Sequence, residues 1–178
     1  MNLETLHRKI RSCRKCRLWK TRKNAVPGEG NPDAEIMFIG QAPGRAEDAS
    51  GRPFVGRAGK LLDELLAEAG LKREDVFITS VLKCFPPKNR LPKKDETESC
   101  NPYLLEQIKL IKPKTIILLG NIAINTMLGN IGKLEDIHGR KTRKGGITYV
   151  PTYHPAAAVR FPGLKTTILK DLEKALGK

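Results

Sequence analysis

The sequence predicts an α/β domain of three layers, in which helices flank a central, mostly parallel sheet of four strands. Two observations carry this prediction. Short apolar runs rich in β-branched residues alternate with stretches of helical periodicity, and the turns that follow the runs are rich in Gly and Pro. The chain has 178 residues, which is enough for one ordinary core, and no linker or repeat divides it, so we expect a single domain over residues 1–178.

Four runs are predicted to be strands that are buried on both faces of the sheet. They cover residues 35–39, 76–81, 115–119 and 147–150. In open parallel sheets, ligands bind beyond the carboxyl ends of the strands, so the residues after each run are candidates for a functional site. The segments that follow the four runs are 40–44, 80–84, 120–121 and 153–156. One pocket could gather all four, although each Gly or Pro taken alone also fits a tight turn.

Three segments between or after these runs show helical periodicity. Their apolar residues fall on one face each: Leu61, Leu62, Leu65, Leu66 and Ala69; Leu104, Leu105, Ile108 and Ile111; and Ile168, Leu169, Leu172 and Leu176. For the second helix, Asn101 is the predicted N-cap and Pro102 lies in the predicted first turn. A predicted helix therefore follows the first, second and fourth predicted strands.

The charge of the chain indicates a polyanionic partner. Lys and Arg number 33 against 19 Asp and Glu, which gives a formal net charge of +14. Nine basic residues lie within residues 1–23 against one acid, Glu4, and two further basic runs lie in 83–94 and 140–144. Separate cationic clusters suit a surface that follows a phosphate backbone. A lysine-rich surface that serves solubility or thermal stability is the alternative.

The composition also limits where the protein acts. No apolar run approaches the roughly 18 residues of a membrane-spanning helix, and the first residues lack the apolar core of a secretory signal. We therefore expect an intracellular protein that does not associate with membranes.

The four cysteines of the chain have the spacing of a metal site. Cys13 and Cys16 form a C-x-x-C pair, and Cys84 and Cys100 follow 68 and then 16 residues later. In an intracellular protein such a set favours a metal centre over disulfides, and it would tie an N-terminal arm, residues 1–33, to the rest of the chain. Zinc and an iron–sulfur cluster both accept four thiolates, so the spacing leaves the metal open.

Five motifs in this order resemble those of the family 4 uracil-DNA glycosylases, a thermostable iron–sulfur branch of a DNA repair superfamily. The motifs are C-R-K-C, G-Q-A-P-G, G-R-P-F-V-G-R-A-G, L-K-C-F-P-P-K-N-R and Y-H-P-A-A-A. The resemblance extends from Cys13 to the final helix, and it implies a cytoplasmic protein of a prokaryotic cell that acts as a monomer. It implies hydrolysis of the N-glycosidic bond of uracil in DNA, as the first step of base excision repair. It also implies a structural four-iron, four-sulfur (4Fe-4S) cluster on Cys13, Cys16, Cys84 and Cys100.

The resemblance assigns roles to individual residues. It implies that Phe54 stacks on a flipped uracil, that the segment Gly40, Gln41 and Ala42 lines the pocket, and that His154 donates a hydrogen bond to O2 of uracil. A donor at O2 stabilises the departing uracil anion in the manner of an oxyanion hole. Ser80 occupies the position that reads the base edge.

Two positions depart from the family pattern. Gln41 stands where the family usually has a Glu that positions or polarises the attacking water, and Gln can neither accept a proton nor carry charge. We therefore expect uracil binding to survive better than turnover. Ser80 stands where the family commonly has Asn, which puts discrimination between uracil and cytosine at that position in question.

Three hypotheses follow for the whole protein. The first is an active uracil-DNA glycosylase, the second is a uracil-DNA binding protein with little or no turnover, and the third is a general nucleic-acid-binding iron–sulfur scaffold. For DNA contact we name Lys83, Arg90 and Arg160, with Arg160 and Phe161 as the residues that enter the emptied base stack. A sliding clamp is a conceivable partner of a repair enzyme, but no segment of the sequence argues for one.

Overall fold

A computed structural model describes residues 1–178. It contains one sheet of six strands. In chain order the strands are β1 (Glu29–Gly30), β2 (Ile36–Gly40), β3 (Phe77–Ser80), β4 (Thr115–Leu119), β5 (Thr142–Lys144) and β6 (Ile147–Thr152). Their spatial order is β1-β3-β2-β4-β6-β5, and the four central strands are parallel. These four are the predicted strands, so the predicted α/β class and its mostly parallel sheet are confirmed.

The two edge strands are antiparallel to their neighbours and were not predicted. β1 has two residues, and β5 is a charged segment that pairs with β6 across a Gly145–Gly146 turn. Both glycines have positive φ, 58° and 82°, as a tight two-residue hairpin turn requires. Short, charged strands are common at sheet edges because they discourage pairing with other chains, but they lack the apolar pattern by which strands are recognised in a sequence.

Eight α-helices surround the sheet. They are α1 (Leu3–Arg11), α2 (Arg45–Ser50), α3 (Arg57–Glu68), α4 (Lys94–Ile111), α5 (Asn121–Leu128), α6 (Leu134–Ile137), α7 (Pro155–Arg160) and α8 (Leu164–Ala175). None of them is long and apolar enough to span a bilayer. The predicted Asn101 cap is wrong, because α4 begins seven residues earlier, where the Glu96 carboxylate accepts a hydrogen bond from the backbone N–H of Lys93 at 2.9 Å.

The alternation of side chains along the central strands divides the core into two layers. Met37 and Ile39 of β2 pack with α4, α5 and α6 on one face of the sheet. Phe38, between them, packs with α3, α7 and α8 on the other face. A third apolar cluster joins Leu6 and Ile10 of α1 to Leu82, just after β3. The N-terminal arm is therefore packed against the end of the strand that leads to Cys84.

Candidate active site

A cavity of about 330 Å³ opens beyond the carboxyl ends of the parallel strands. We call it the base pocket, and its lining includes Gln41, Ala42, Glu47, Phe54, Ser80, Asn89 and His154. Most of the residues assigned by resemblance to uracil binding thus lie around one cavity. Gly40 lies directly behind two of these lining residues. A Cβ on Gly40 would come within 2.6 Å of the Phe54 ring and 3.2 Å of the Ser80 hydroxyl oxygen. Only Gly at position 40 leaves room for that ring.

Phe54 is held in an unfavourable backbone conformation. Its φ is 48°, a left-handed value that costs a bulky residue about 1–3 kcal/mol. The carbonyl of Phe54 accepts a hydrogen bond from Arg73 Nη1 at 3.1 Å, and it lies so near α3 that a Cβ on Gly59 would be 1.9 Å from its oxygen. The ring lies 5.5 Å from the His154 ring with 25° between their planes. The surrounding contacts therefore fix this aromatic ring at the pocket wall.

Glu47 fastens the loop that carries Phe54. Its Oε1 accepts hydrogen bonds from the backbone N–H groups of Val55 and Gly56, both at 3.0 Å, and its Oε2 accepts one from Gly44 at 3.0 Å. One carboxylate thus joins the turn after β2 to the turn before α3. Sequence reasoning missed Glu47, because an acid in the first turn of a helix is common as a cap and says nothing about a distant loop.

The hydrogen bonding of His154 defines its tautomer. Its Nδ1 accepts a hydrogen bond from the backbone N–H of Ala156 at 3.0 Å, so Nδ1 carries no proton in this arrangement and Nε2 carries the hydrogen of the neutral ring. Burial lowers the pKa of His154 from 6.5 to about 4, opposed by the charge of Glu47. At neutral pH, His154 therefore presents an uncharged N–H donor, oriented by the start of α7.

Ser80 and Gln41 end neighbouring strands at the pocket floor. Ser80 is 6% exposed and lies opposite Gly40 in the parallel register of β2 and β3. The carbonyl of Gln41 accepts a hydrogen bond from the Leu82 N–H at 3.1 Å, which continues the pairing beyond the strands. The amide of Gln41 borders both the base pocket and a neighbouring groove.

Lys83 is buried and is not available to DNA. Its side chain is 1% exposed, and its Nζ donates to the Ser80 carbonyl at 2.8 Å and to Gln107 Oε1 at 2.7 Å, as well as to the Thr79 hydroxyl. Burial lowers its pKa to about 7. The expectation of a DNA contact at Lys83 is therefore wrong, because the ammonium serves a polar network behind the pocket floor.

That network continues to the N-terminal arm. Gln107 Nε2 donates to the Pro27 carbonyl at 2.7 Å and lies 3.3 Å from His7 Nε2, and the Thr79 hydroxyl donates to the same Pro27 carbonyl at 2.8 Å. Burial lowers the pKa of His7 to about 4. Buried polar groups that are all satisfied in this way favour one arrangement of the packed elements. The arm, β3 and α4 are thus held in register beneath the base pocket.

The four cysteines line a second cavity, which we call the cysteine cavity. Cys13 and Cys16 follow α1, Cys84 follows β3, and Cys100 lies within α4. No three of the thiols are close enough together to hold a single metal ion. A tetrahedral zinc site would bring its sulfurs to about 3.8 Å of one another. Four thiols around one cavity are the donor set of either zinc or an iron–sulfur cluster.

Three of the four sulfurs accept a hydrogen bond from an N–H group. The donors to Cys13, Cys84 and Cys100 are the Lys15 N–H at 3.5 Å, the Arg22 guanidinium at 3.0 Å and the Lys83 N–H at 3.3 Å. Such donors stabilise thiolates that bind metal.

Burial is the main influence on the acidity of the thiols. It raises the pKa of Cys16 and Cys84 above the usual range and that of Cys100 to about 11. The Arg22 guanidinium opposes the shift at Cys84. These thiols are therefore neutral at pH 7 unless a cation takes the place of their protons.

The remaining predicted DNA contacts lie outside the base pocket. Arg90 makes two hydrogen bonds to Glu96, at 2.9 and 2.6 Å, although part of its side chain stays exposed. Arg160 is exposed at the end of α7, and its guanidinium lies 5.2 Å from the centre of the exposed Phe161 ring. Neither Arg160 nor Phe161 lines the base pocket or the groove beside it.

The basic clusters do not all share one end of the molecule. Arg143 and Lys144 lie on β5, where they pair with the amino-terminal half of β6, away from the strand ends that form the pocket. Arg14 lies 4.9 Å from the Trp19 ring, and Lys15 lies 4.6 Å from the Tyr103 ring, both beside the cysteine cavity. The basic arm is therefore the cluster that combines exposed cations with aromatic surface.

Comparison with known proteins identifies the family. A sequence model of the Uracil DNA glycosylase superfamily matches residues 27–174. The chain is 48% identical to a protein of Pyrobaculum aerophilum named Type-4 uracil-DNA glycosylase, over 99% of this chain and 94% of that protein. It is 49% identical to a protein of the same name from Saccharolobus solfataricus, over 97% of this chain and 84% of that protein.

A bacterial relative shows the same correspondence. The Type-4 uracil-DNA glycosylase of Thermotoga maritima is 42% identical, over 97% of this chain and 92% of its own length. Its match, like the archaeal ones, includes both the cysteine cavity and the base pocket within nearly the whole chain. The chain therefore belongs to the uracil DNA glycosylase superfamily and, within it, to the type-4 uracil-DNA glycosylases.

Proposed function

We propose that this chain is a uracil-DNA glycosylase that hydrolyses the N-glycosidic bond of uracil in DNA and leaves an abasic site. The observation that carries the proposal is the fixed, neutral N–H donor of His154, beside the Phe54 ring and in a cavity at the carboxyl ends of the strands. A flipped base needs one group for its face and others for its edge. Phe54 contacts the face of the base, and His154 contacts its edge.

His154 acts on the leaving group. As the bond breaks, negative charge develops on uracil, and the Nε2–H of His154 stabilises it at O2. A preorganised donor of this type contributes about 3 to 4 kcal/mol to the transition state. Because Nδ1 is occupied by the Ala156 N–H, the ring does not have to change its tautomer during the reaction.

Gln41 holds the water that attacks the sugar, and the proton that this water loses passes to the departing uracil anion, because Gln cannot accept it. Its amide borders the base pocket at the end of β2, where a carboxylate would both orient the water and stabilise positive charge on the sugar. Gln can still orient the water, but it carries no charge that would stabilise the sugar. We expect turnover that is slow relative to uracil binding, which leaves a uracil-DNA binding protein with little turnover as the second candidate function.

The cysteine cavity is the proposed site of a 4Fe-4S cluster. The four thiols around one cavity and the N–H groups that donate to three of them support this proposal, as does the membership in the type-4 family. When bound, the cluster would crosslink the arm, the segment after β3 and α4. Its role is assigned as structural, because the cysteine cavity and the base pocket have no lining residue in common. Purified protein should be brown and contain iron, and a colourless protein that contains zinc would contradict the assignment.

The decisive experiment is single-turnover cleavage of a uracil-containing oligonucleotide, followed by alkali to reveal abasic sites. We expect cleavage by the natural chain and a loss of about 10²–10³-fold in His154→Ala. Gln41→Glu should accelerate the reaction by about 10²-fold, since a carboxylate restores acid–base chemistry. An oligonucleotide that stays intact with excess protein would exclude the enzyme.

Binding measurements separate the other two hypotheses. A protein with little turnover should still bind uracil DNA more tightly than the matched thymine DNA, and His154→Ala should abolish the difference. If His154→Ala changes neither affinity nor cleavage, the general nucleic-acid scaffold is favoured. If Gln41→Glu reacts at the rate of the natural chain, position 41 is not the site of the missing carboxylate.

A further inference from the structure

A glycosylase that works on duplex DNA must fill the space that the flipped base leaves. This step rests on the function proposed above. Proteins that unstack bases commonly insert an apolar side chain, such as Leu, Phe or Met, between base steps. The candidate must therefore be exposed, apolar, close to the base pocket and held on a stiff segment.

Leu91 is the most exposed of the large apolar side chains. Its exposed fraction is 67%, compared with 57% for Phe161 and 50% for Leu105. An apolar side chain in water contributes little to the stability of the fold, and an isolated one is common on surfaces. Exposure alone therefore does not identify a wedge residue, and the position of Leu91 relative to the base pocket decides.

Leu91 lines the groove that adjoins the base pocket. It lines a groove of about 850 Å³, and two other lining residues of that groove, Gln41 and His154, also line the base pocket. Asn89, two residues earlier, reaches the base pocket itself. The groove and the pocket therefore meet at Gln41 and His154, and Leu91 lines the groove that extends from this junction. Phe161 borders neither cavity.

The segment that carries Leu91 is fixed on both sides. Arg90 Nη1 donates to the Leu91 carbonyl at 3.1 Å, and the same guanidinium is bound twice by the fully buried Glu96 carboxylate. Pro92 follows directly and restricts the backbone of Leu91. A side chain on so restrained a segment loses little further freedom when it enters a base stack.

Two left-handed residues precede this point and set the direction of the loop. Lys88 and Asn89 have φ values of 56° and 55°, a costly conformation for residues other than Gly. Pairs of strained residues of this kind occur where the surrounding structure imposes a shape on a functional loop. Here the shape turns the chain from the base pocket to the exposed Leu91.

We propose that Leu91 is the apolar wedge that enters the DNA stack as uracil moves into the base pocket. The proposal replaces the sequence-based expectation for Arg160 and Phe161. Arg90 then has a positioning role, because its guanidinium holds the Leu91 backbone and is neutralised by Glu96. A wedge matters only where a base stack has to be opened, so Leu91 should distinguish duplex from single-stranded substrates.

The test compares Leu91→Ala with Leu105→Ala, a control at an exposed leucine of α4. Single-turnover cleavage is measured on the same uracil oligonucleotide as a single strand and in a duplex. Leu91→Ala should lower the duplex rate by about tenfold or more, since unstacking costs a few kcal/mol per step. The single-strand rate should change by less than about twofold on the same grounds. Leu91→Met should restore most of the duplex rate.

A second readout follows base flipping without cleavage. A fluorescent adenine analogue placed next to uracil brightens when its neighbour leaves the stack, and Leu91→Ala should reduce this signal in the duplex. Equal losses on both substrates, an unchanged duplex rate, or the same defect in Phe161→Ala but not in Leu91→Ala would overturn the proposal. If the natural chain cleaves neither substrate, the enzyme proposal fails, and the fluorescence signal decides the role of Leu91 by itself.

Discussion

The cysteine cavity and the base pocket lie on either side of the segment 80–84. They differ in how far their polar groups are hydrogen-bonded within the chain. Around the cysteine cavity, Cys13, Cys84 and Cys100 each have an N–H donor to sulfur. In the base pocket the polar ends of Gln41 and Ser80 have no partner within the chain, and Phe54 is held in a strained conformation. The first region is built for stability, and the second is kept ready for a ligand.

One short segment, residues 80–84, contributes both to the cysteine cavity and to the base pocket. Lys83 donates its backbone N–H to Cys100 and its ammonium to the carbonyl of Ser80. The hydrogen-bonded residues around the cysteine cavity therefore directly support the base pocket, where Gln41 and Ser80 have side chains without partners. Changes in the cysteine cavity should affect stability first, whereas changes around the pocket should affect substrate binding and rate.

The largest effect is expected from Cys100→Ser. Loss of a buried metal ligand should remove the bound iron and lower the free energy of unfolding by about 4 kcal/mol or more. The matched control is Ser99→Ala, which also lines the cysteine cavity but removes no thiol. Iron content, visible absorbance and thermal unfolding measure the effect. Full iron content and unchanged stability in Cys100→Ser would remove Cys100 from the ligand set.

The next largest effect is expected from Gly59→Ala, which tests how closely the backbone of Phe54 packs against α3. In an open helix this change stabilises by up to about 1 kcal/mol. Here the new Cβ would lie 1.9 Å from the Phe54 carbonyl oxygen, so we expect a loss of about 1–3 kcal/mol and a raised KM for uracil DNA. Gly163→Ala is the control, since nothing lies within 4 Å of its added Cβ. A stabilised Gly59→Ala with normal KM would contradict the close packing of Phe54.

The third prediction concerns pH. The pKa of His154 and that of His7 are both lowered to about 4 by burial, so in the folded protein both stay neutral as the pH falls through 6.5. Cleavage should therefore not decline near pH 6.5 through protonation of His154, and should decline as the pH approaches 4. Stability should fall as the pH drops below 6.5, because the unfolded chain then binds protons that the folded chain does not.

The pH prediction is checked by a rate profile, by titration of the His154 ring in an NMR spectrum and by unfolding at several pH values. A rate that halves near pH 6.5 in the natural chain would mean that the imidazole is accessible to water. His154→Ala should remove part of the acid-induced loss of stability, whereas His138→Ala is the comparison with a histidine outside the pocket, which lies 3.0 Å from Asp171.

The smallest effect is expected at the surface. The arm residues Lys20 and Lys23 are exposed and pair with no carboxylate. In Lys20→Gln with Lys23→Gln, the logarithm of DNA affinity should fall less steeply with the logarithm of salt, by about 0.9 for each lost phosphate contact. Arg143→Gln, on the far edge strand, is the control. Equal changes in both variants would mean that DNA affinity depends on charge in general and not on the arm.

The central part of the fold could be predicted from the sequence because its strands are apolar on both faces and its helices have one apolar face. The edge strands could not, since β5 is charged and β1 has only two residues. The Gly145–Gly146 pair was a usable signal for the hairpin, because two adjacent glycines between extended segments favour a tight turn.

The candidate site could be predicted only where a residue type itself suggests the chemistry. The cysteines, His154 and Phe54 stand in recognisable motifs, and they gather as expected around two cavities. Lys83 was misjudged, because lysine is rarely buried and only the fold shows the three acceptors that surround its ammonium. Glu47 and Leu91 depend on distant loops, which no local pattern describes.

Trp19 is the only tryptophan of the chain, and it lines the cysteine cavity while part of its ring faces solvent. The indole therefore lies beside the proposed cluster. Iron–sulfur clusters absorb in the range where indole emits, so an intact cluster should quench the emission and its loss should restore it. If the proposed cluster is bound, the emission of Trp19 therefore reports its loss during purification, oxidation or heating without any added label.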